Sequence, residues 1–150
     1  MGFGEAIRTC ISKYVTFSGR ASRSEFWFWT LFAVLVIAAG VAIYADTHTL
    51  VVSHIITLVM FLPSTAVFVR RMHDIDRTGW WVLVSWVSSL GFMLRPSMLT
   101  AIPIALFWVV WWVWLVIATF LVLWTCTRGT LGPNRYGLDP LAGVVGATVA

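Results

Sequence analysis

Four long apolar segments, separated by short polar stretches, set the pattern of this chain. A helix rises about 1.5 Å per residue, and about 20 apolar residues are needed to cross the hydrocarbon core of a bilayer. The pattern therefore predicts four transmembrane helices. The third segment has 15 residues, which leaves open whether it crosses the membrane or re-enters it. The predicted spans cover residues 26–45, 50–69, 80–94 and 101–126.

A shorter amphipathic stretch precedes the first apolar segment. It covers residues 5–15, and its apolar positions recur at i, i+3, i+4 and i+7, which is the spacing of one helix face. The spacing predicts a short helix on the membrane surface, within an interfacial lead over residues 1–21. A frayed N-terminus with chance periodicity is the alternative. The apolar positions are Ile7, Cys10, Ile11 and Tyr14.

Local signals indicate where the first long helix begins and where the second bends. Ser22 and Glu25 have the spacing of a capping box, in which each side chain bonds the backbone N–H of the other residue. Pro63 lies inside the second apolar segment and is expected to bend it, because proline has no N–H to donate. Ser64 and Thr65 are expected to satisfy the carbonyl groups that this frees.

The composition excludes a soluble enzyme and a disordered chain. Hydrophobic residues make up 60% of the chain and charged residues 11%, with a mean hydropathy of +0.91. A soluble domain is about 45–50% apolar and about 25% charged. So much apolar surface does not fit inside one small core. We therefore expect a single all-α membrane domain over residues 1–150.

The basic residues are distributed unevenly among the polar stretches. The chain has 10 Lys and Arg against 6 Asp and Glu, for a net charge of +4. Four crossings with both termini in the cytoplasm place nine of the ten basic residues there, two of them in a tail over residues 127–150. A three-crossing topology would move Arg128 and Arg135 outside, so the positive-inside rule favours four. No basic stripe lies on a soluble module, and we expect no nucleic-acid partner.

Charged side chains concentrate at the predicted cytoplasmic ends of the first two helices. Arg70, His73 and Asp74 share one face of the second helix if it continues past its apolar part. Because the first two helices run antiparallel, Glu25 approaches Arg70 or Arg71. We expect a bidentate carboxylate–arginine pair there. Such a pair would neutralise charge and fix the two helices to each other.

The same region also permits an anion site. In this interpretation five arginines converge on a phosphate or a lipid headgroup at the inner leaflet. Metal-ligand types are present nearby, but the arginines would repel a cation, so we expect no metal. No hydrolase, phosphate-loop or zinc-protease motif occurs in the sequence, so we expect no catalytic residues and no cofactor. The five arginines are Arg20, Arg23, Arg70, Arg71 and Arg77.

Three motifs carry a family resemblance. They are FSGRASRSEFW at residues 17–27, FLPSTAVFVRRMHDIDRTGWW at residues 61–81 and GTLGPNRYGLDP at residues 129–140. Together they resemble the bacterial inner-membrane family catalogued as domain of unknown function 805. The resemblance implies a small multi-span protein of the bacterial inner (plasma) membrane and no particular reaction. The matching positions are Arg20, Arg23, Glu25, Arg70, Arg71, His73, Asp74, Gly79, Trp80, Asn134 and Arg135.

The chain departs from that pattern between the second and third motifs. Residues 82–128 form a longer hydrophobic stretch than the pattern has, which bears on the number of crossings and on the side of the tail. If the tail is cytoplasmic, Asn134 and Arg135 can join the charged cluster. If it is outside, they cannot.

The sequence thus predicts a non-enzymatic membrane subunit or scaffold, whose inner-leaflet cluster binds an anionic lipid headgroup or a partner. A homo-oligomer and a larger membrane complex are both left open. One alternative is an oligomeric transporter or channel component for a small solute, with a polar path past Pro63. Another is an enzyme acting on a lipid or isoprenoid phosphate, with His73 as base and Asp74 orienting it. The cluster comprises Arg20, Arg23, Glu25, Arg70, Arg71, His73, Asp74, Arg77, Asn134 and Arg135.

Overall fold

The computed structural model describes residues 1–48, 50–93 and 104–142, and within them five α-helices follow one another along the chain. The predicted all-α fold is confirmed for these residues. Each of the four apolar segments largely coincides with a helix, although α2 and α3 extend beyond their segments, and a fifth helix overlaps the amphipathic stretch. The helices are α1 (Phe3–Ser12), α2 (Arg23–Thr47), α3 (Leu50–Asp74), α4 (Trp81–Met93) and α5 (Ile104–Cys126).

Three of these helices are long and apolar enough to cross a membrane. The qualifying stretches are Arg23–Ala45, Val51–Asp74 and Trp108–Cys126. Helix α4 has 13 residues and is about 20 Å long, against a hydrocarbon core of about 30 Å. Four crossings therefore stay a prediction, and the start of the fourth predicted span, residues 101–103, lies outside the described residues.

Helix α2 begins where the capping signal indicates. Ser22 is its N-cap residue, and the Ser22 hydroxyl accepts a 3.2 Å hydrogen bond from the backbone N–H of Glu25. The reciprocal half of the capping box is not formed, because the Glu25 carboxylate turns to the Arg70 guanidinium. The helix thus starts three residues before the apolar run, and its first turn points a carboxylate at α3.

Helices α2 and α3 lie antiparallel and close together. The indole N–H of Trp29 donates to the Ser64 hydroxyl at 3.1 Å. Further along, Gly40 packs against Ile56 so closely that a Cβ at Gly40 would lie 3.1 Å from Ile56 Cδ1. The absence of a side chain at Gly40 lets the two helices approach.

Helix α1 packs on the start of α2 and on α3. Ala6 and Cys10 are fully buried, and the Phe3 ring meets the Phe28 ring edge-on at 5.8 Å. Ile11, which the spacing placed on the apolar face, is 56% exposed. A helix is present here, beginning two and ending three residues earlier than predicted, whereas an amphipathic helix on a membrane surface stays a prediction.

Helix α3 continues through Pro63, which is fully buried. Because proline has no N–H, the carbonyl group of Val59, four residues earlier, lacks its helical donor. The Tyr14 hydroxyl donates a hydrogen bond to this Val59 oxygen. The roles predicted for Ser64 and Thr65 are wrong: the Ser64 hydroxyl accepts from Trp29, and the Thr65 hydroxyl donates to the carbonyl of Phe61.

Candidate functional site

The start of α2, the end of α3, the end of α5 and the loop after α5 meet at one end of the helices, called here the polar end. Arg20 and Asp74 lie 2.9 Å apart there. The Arg71 Nε donates to the carbonyl oxygen of Thr125 at 3.0 Å. These contacts bring together segments that are more than 50 residues apart in the sequence.

Asp74, the last residue of α3, is shared by two buried arginines. Its Oδ1 accepts from Arg20 Nε at 2.9 Å, and its Oδ2 accepts from Arg71 Nη1. The three side chains are between 0% and 5% exposed. Burying one carboxylate with two arginines is favourable only when the other guanidinium N–H groups also have hydrogen-bond acceptors. The partners of the remaining nitrogens of Arg20 and Arg71 therefore matter for the stability of this cluster.

Arg71 uses its remaining nitrogens at the C-terminal end of α5. Its Nε donates to the Thr125 carbonyl, and its Nη2 donates to the carbonyl of Thr127. The last carbonyls of a helix have no partner within the helix, and a cation is favoured at that negative end. Arg71 therefore joins the ends of α3 and α5.

Arg20 plays the equivalent role for the loop after α5. Its Nη2 donates to the Thr130 carbonyl at 2.5 Å and its Nη1 to the Gly132 carbonyl at 2.6 Å. The loop lies against Asp74 itself, since a Cβ at Gly129 would be 2.2 Å from Asp74 Oδ2. Glycine is therefore required at residue 129, where the GTLGPNRYG motif begins.

Glu25 and Arg70 form a second buried pair. Glu25 Oε1 lies 2.5 Å from Arg70 Nη1, and both side chains are at most 3% exposed. The expected pair is confirmed, but it is not bidentate. Among the described residues, Arg70 Nε and Nη2 are buried and have no hydrogen-bond partner. The Cys10 thiol lies 3.8 Å from Glu25 Oε1, and burial together with the Glu25 charge raises the pKa of Cys10 to about 12.

The tail packs on the end of α3 through the third motif. Asn134 Nδ2 donates to the His73 carbonyl at 2.9 Å, and Arg135 pairs with Asp76 at 3.0 Å in an exposed position. The rings of His73 and Tyr136 stack with centroids 3.8 Å apart. His73 Nδ1 is 3.2 Å from the Gly19 carbonyl oxygen, which can only accept, so Nδ1 carries the proton.

Two of the predicted arginines lie outside this network. Arg77 sits over the Trp124 ring, 3.9 Å from its centroid, and Arg23 is exposed at the start of α2. The five arginines therefore do not converge on one anion. Arg20, Arg70 and Arg71 face carboxylates and carbonyl groups of the chain itself, because these are the acceptors that the antiparallel helices bring to them.

The sequence profile of a family described as protein of unknown function (DUF805) matches residues 14–138. The chain belongs to this family. Among curated relatives, the inner membrane protein YhaI of Escherichia coli is 35% identical over 89% of this chain and 92% of its own length. The inner membrane protein YhaH is 29% identical over 87% and 91%, and the uncharacterized protein YiiR 27% over 83% and 85%. No solved structure matches the chain.

All three DUF805 motifs meet at the polar end. The first supplies Arg20 and Glu25, and the second supplies Arg70, Arg71 and Asp74. The third supplies the loop that these side chains bind, through Thr130, Gly132 and Asn134. The chain is thus a small helical membrane protein in which the family motifs are contact partners of one another.

The residues that the alternative chemistries would use have other contacts in the described parts of the chain. Both Asp74 oxygens accept from arginines, so Asp74 does not orient His73 as a general base. Beside the buried Pro63, Ser64 and Thr65 are hydrogen-bonded within the helices. In the parts of the chain that the structure describes, no three His, Cys, Asp or Glu side chains come together as metal ligands.

Several contact partners carried no sequence signal of their own. The carbonyl groups of Thr125, Thr127 and Thr130 bind the buried arginines, and any residue type supplies a carbonyl. The helical spacing predicts an apolar face for Cys10 and Tyr14, although both make polar contacts. Tyr136 lies in the third motif, and only its aromatic ring indicates that it could stack on another side chain, which is His73.

Proposed function

We propose that this DUF805 chain is a non-enzymatic scaffold or membrane subunit of the bacterial inner membrane, with its polar end in the cytoplasm and against anionic lipid headgroups. Two observations support the location. The two most similar relatives named above are called inner membrane proteins, and three helices are long and apolar enough to cross a membrane.

The observation that carries the proposal is the occupation of the buried arginines. Arg20 and Arg71 each direct all three guanidinium nitrogens to Asp74 or to carbonyl groups of α5 and of the tail. A substrate anion would have to displace these contacts from a desolvated site. Side chains held in this way fix the helices and the tail to one another, and this rigid arrangement supports a scaffold role.

A cationic surface surrounds this internal network and supports contact with lipids. Arg23 and Arg128 are both exposed at the polar end. The inner leaflet is negatively charged and attracts such residues by about 1 kcal/mol each. The surface thus favours the cytoplasmic side for the polar end.

The proposed topology has both termini in the cytoplasm. Asn134 and Arg135 contact residues at the end of α3, so the tail returns to the same end of the helices as the N-terminal segment. This return supports a topology in which the chain leaves the polar end after α3 and reaches it again at the end of α5. Two crossings by α4 and α5 would satisfy it, with α4 tilted little because of its length.

Native mass spectrometry of the gently extracted full-length protein tests the proposal. We expect a particle of defined stoichiometry that retains anionic phospholipid, or a defined complex with another membrane protein. A bare monomer that carries neither would contradict the scaffold proposal. Conversion of an added lipid phosphate by the purified protein would contradict its non-enzymatic part.

A further inference from the structure

We propose that an anionic phospholipid binds between α2 and α5, with one acyl chain in the groove beside Phe26 and Ala118 and its phosphate between Arg23 and Arg128. This inference rests on the proposed function and gives its lipid contact a specific site. Neither arginine belongs to the buried network, so both are available to a ligand.

The acyl chain would occupy an apolar groove of about 250 Å³ between α2 and α5. Phe26 and Phe68 form part of its wall, and Ala118 and Leu121 line it on α5. Trp27 and Val122, which also line it, are 37% and 51% exposed. The groove thus opens to the side of the protein, where lipid chains would surround the helices.

The phosphate would occupy a smaller, more polar cavity of about 80 Å³ at the polar end. Its lining includes Ser22, Arg23 and Arg128 together with Gly129. Neither Arg23 nor Arg128 takes part in an ion pair within the described ranges. Two exposed guanidinium groups that line one cavity are suited to a phosphate diester, which accepts from both.

The carboxylates of this cavity do not cancel its positive charge. Asp74 lines it but is already paired with Arg20 and Arg71. Asp139 also lines it and accepts from the backbone N–H groups of Leu141 and Gly132. These bonds and the nearby arginine charges lower the pKa of Asp139, so it is ionised at neutral pH. One unpaired carboxylate against two arginines leaves the cavity cationic.

The headgroup cavity lies one turn before the groove on α2 and just beyond the end of α5. Arg23 precedes Trp27 by one turn on α2, and residues four apart lie above one another on a helix. On α5 the groove runs from Ala118 to Thr125, about 10 Å, and Arg128 follows three residues later. A headgroup between the arginines therefore places an acyl chain directly in the groove.

The experiment titrates the detergent-solubilised full-length protein with dioleoylphosphatidylglycerol and, separately, with dioleoylphosphatidylcholine, and counts bound lipid by native mass spectrometry. We expect the wild type to prefer phosphatidylglycerol. Replacing both arginines, Arg23→Gln with Arg128→Gln, should lower the apparent affinity for phosphatidylglycerol about thirtyfold, or about 2 kcal/mol at 1.4 kcal/mol per tenfold. Arg8→Gln with Lys13→Gln removes the same charge elsewhere and should change it less than threefold.

A second pair of variants tests the groove. Ala118→Trp fills the groove and should also weaken binding at least tenfold, whereas Val116→Trp, on an exposed face of the same helix, should not. If both charge variants weaken binding equally, the site is wrong and the lipid is attracted by overall charge. If Ala118→Trp has no effect, the acyl chain lies elsewhere and the inference is overturned. The proposed function survives either result, because its own tests are the retention of lipid or partner by the wild type and the absence of lipid-phosphate conversion.

Discussion

At the scale of single residues, Asp74 holds two arginines that would otherwise be buried without a counter-charge. Its two oxygens serve Arg20 and Arg71, and the two guanidinium groups reach on to the tail and to α5. Removing one partner of a buried ion pair costs far more than an exposed pair contributes, because the remaining charge stays desolvated. Asp74 is therefore the residue on which the polar end depends most.

We expect Asp74→Asn to destabilise the protein by about 3 kcal/mol, because asparagine keeps the shape of the side chain but leaves two buried cations without a carboxylate. Thermal unfolding in detergent measures the loss. Asp76→Asn is the matched control, since Asp76 pairs with Arg135 in an exposed position and should cost less than about 1 kcal/mol. Equal effects of the two substitutions would show that the buried cluster adds no stability.

Some of these side-chain contacts could be predicted from the sequence and others could not. The Glu25–Arg70 pair follows from two antiparallel helices with opposite charges at matching ends, so it could be predicted. The partners of Arg71 could not, because they are carbonyl groups at the end of a helix whose position relative to α3 has no local signal. From the sequence alone, a cluster of arginines whose partners are carbonyl groups is hard to distinguish from a site for an external anion.

At the scale of elements, the segment after α1 supplies a hydrogen-bond donor that the interior of α3 lacks. Pro63 deprives Val59 of its helical hydrogen bond, and Tyr14 replaces the missing donor. An unpaired carbonyl inside a membrane-spanning helix is costly, since lipid offers no donor. Tyr14 thus attaches the N-terminal segment to a position about 16 Å from Arg70 along α3.

A double-mutant cycle tests this attachment. Tyr14→Phe alone should destabilise the protein by about 1 kcal/mol or more, because the Val59 carbonyl loses its donor. In a Pro63→Ala background the restored N–H of residue 63 can bond Val59, so the same substitution should cost much less. The free energies of unfolding of the four proteins give the coupling, and a Tyr14→Phe cost that is identical in both backgrounds would contradict the arrangement.

The elements themselves were mostly predictable from hydrophobic pattern and capping. Ser22 marks the start of α2, and the apolar runs give the positions of α2 to α5, although α2 and α3 extend beyond them. The pattern was less informative for α1, because the apolar stripe does not tell which of its residues pack on other helices. Cys10 does and Ile11 does not.

At the scale of the whole molecule, the polar end brings the two ends of the chain together. The N-terminal segment contributes Arg20 and the tail contributes Thr130 and Asn134, and both meet α3 at its last turn. The uneven distribution of basic residues predicts that this end faces the cytoplasm. Because the third apolar segment is short, the sequence does not tell on which side of the membrane the tail lies. The contact of Asn134 with His73 shows that the tail lies at the same end of the helices as the end of α3.

Site-directed labelling from the two faces of the membrane tests this arrangement most directly. In a chain whose Cys10 and Cys126 are replaced by alanine, Arg8→Cys and Leu138→Cys place single thiols at exposed positions of the two chain ends. His48→Cys, at the exposed C-cap of α2, serves as the control for the opposite face. A membrane-impermeant maleimide is applied to spheroplasts and to inverted vesicles. We expect positions 8 and 138 to react only from the cytoplasmic face and position 48 only from the other. Labelling of positions 8 and 138 from opposite faces would contradict this arrangement.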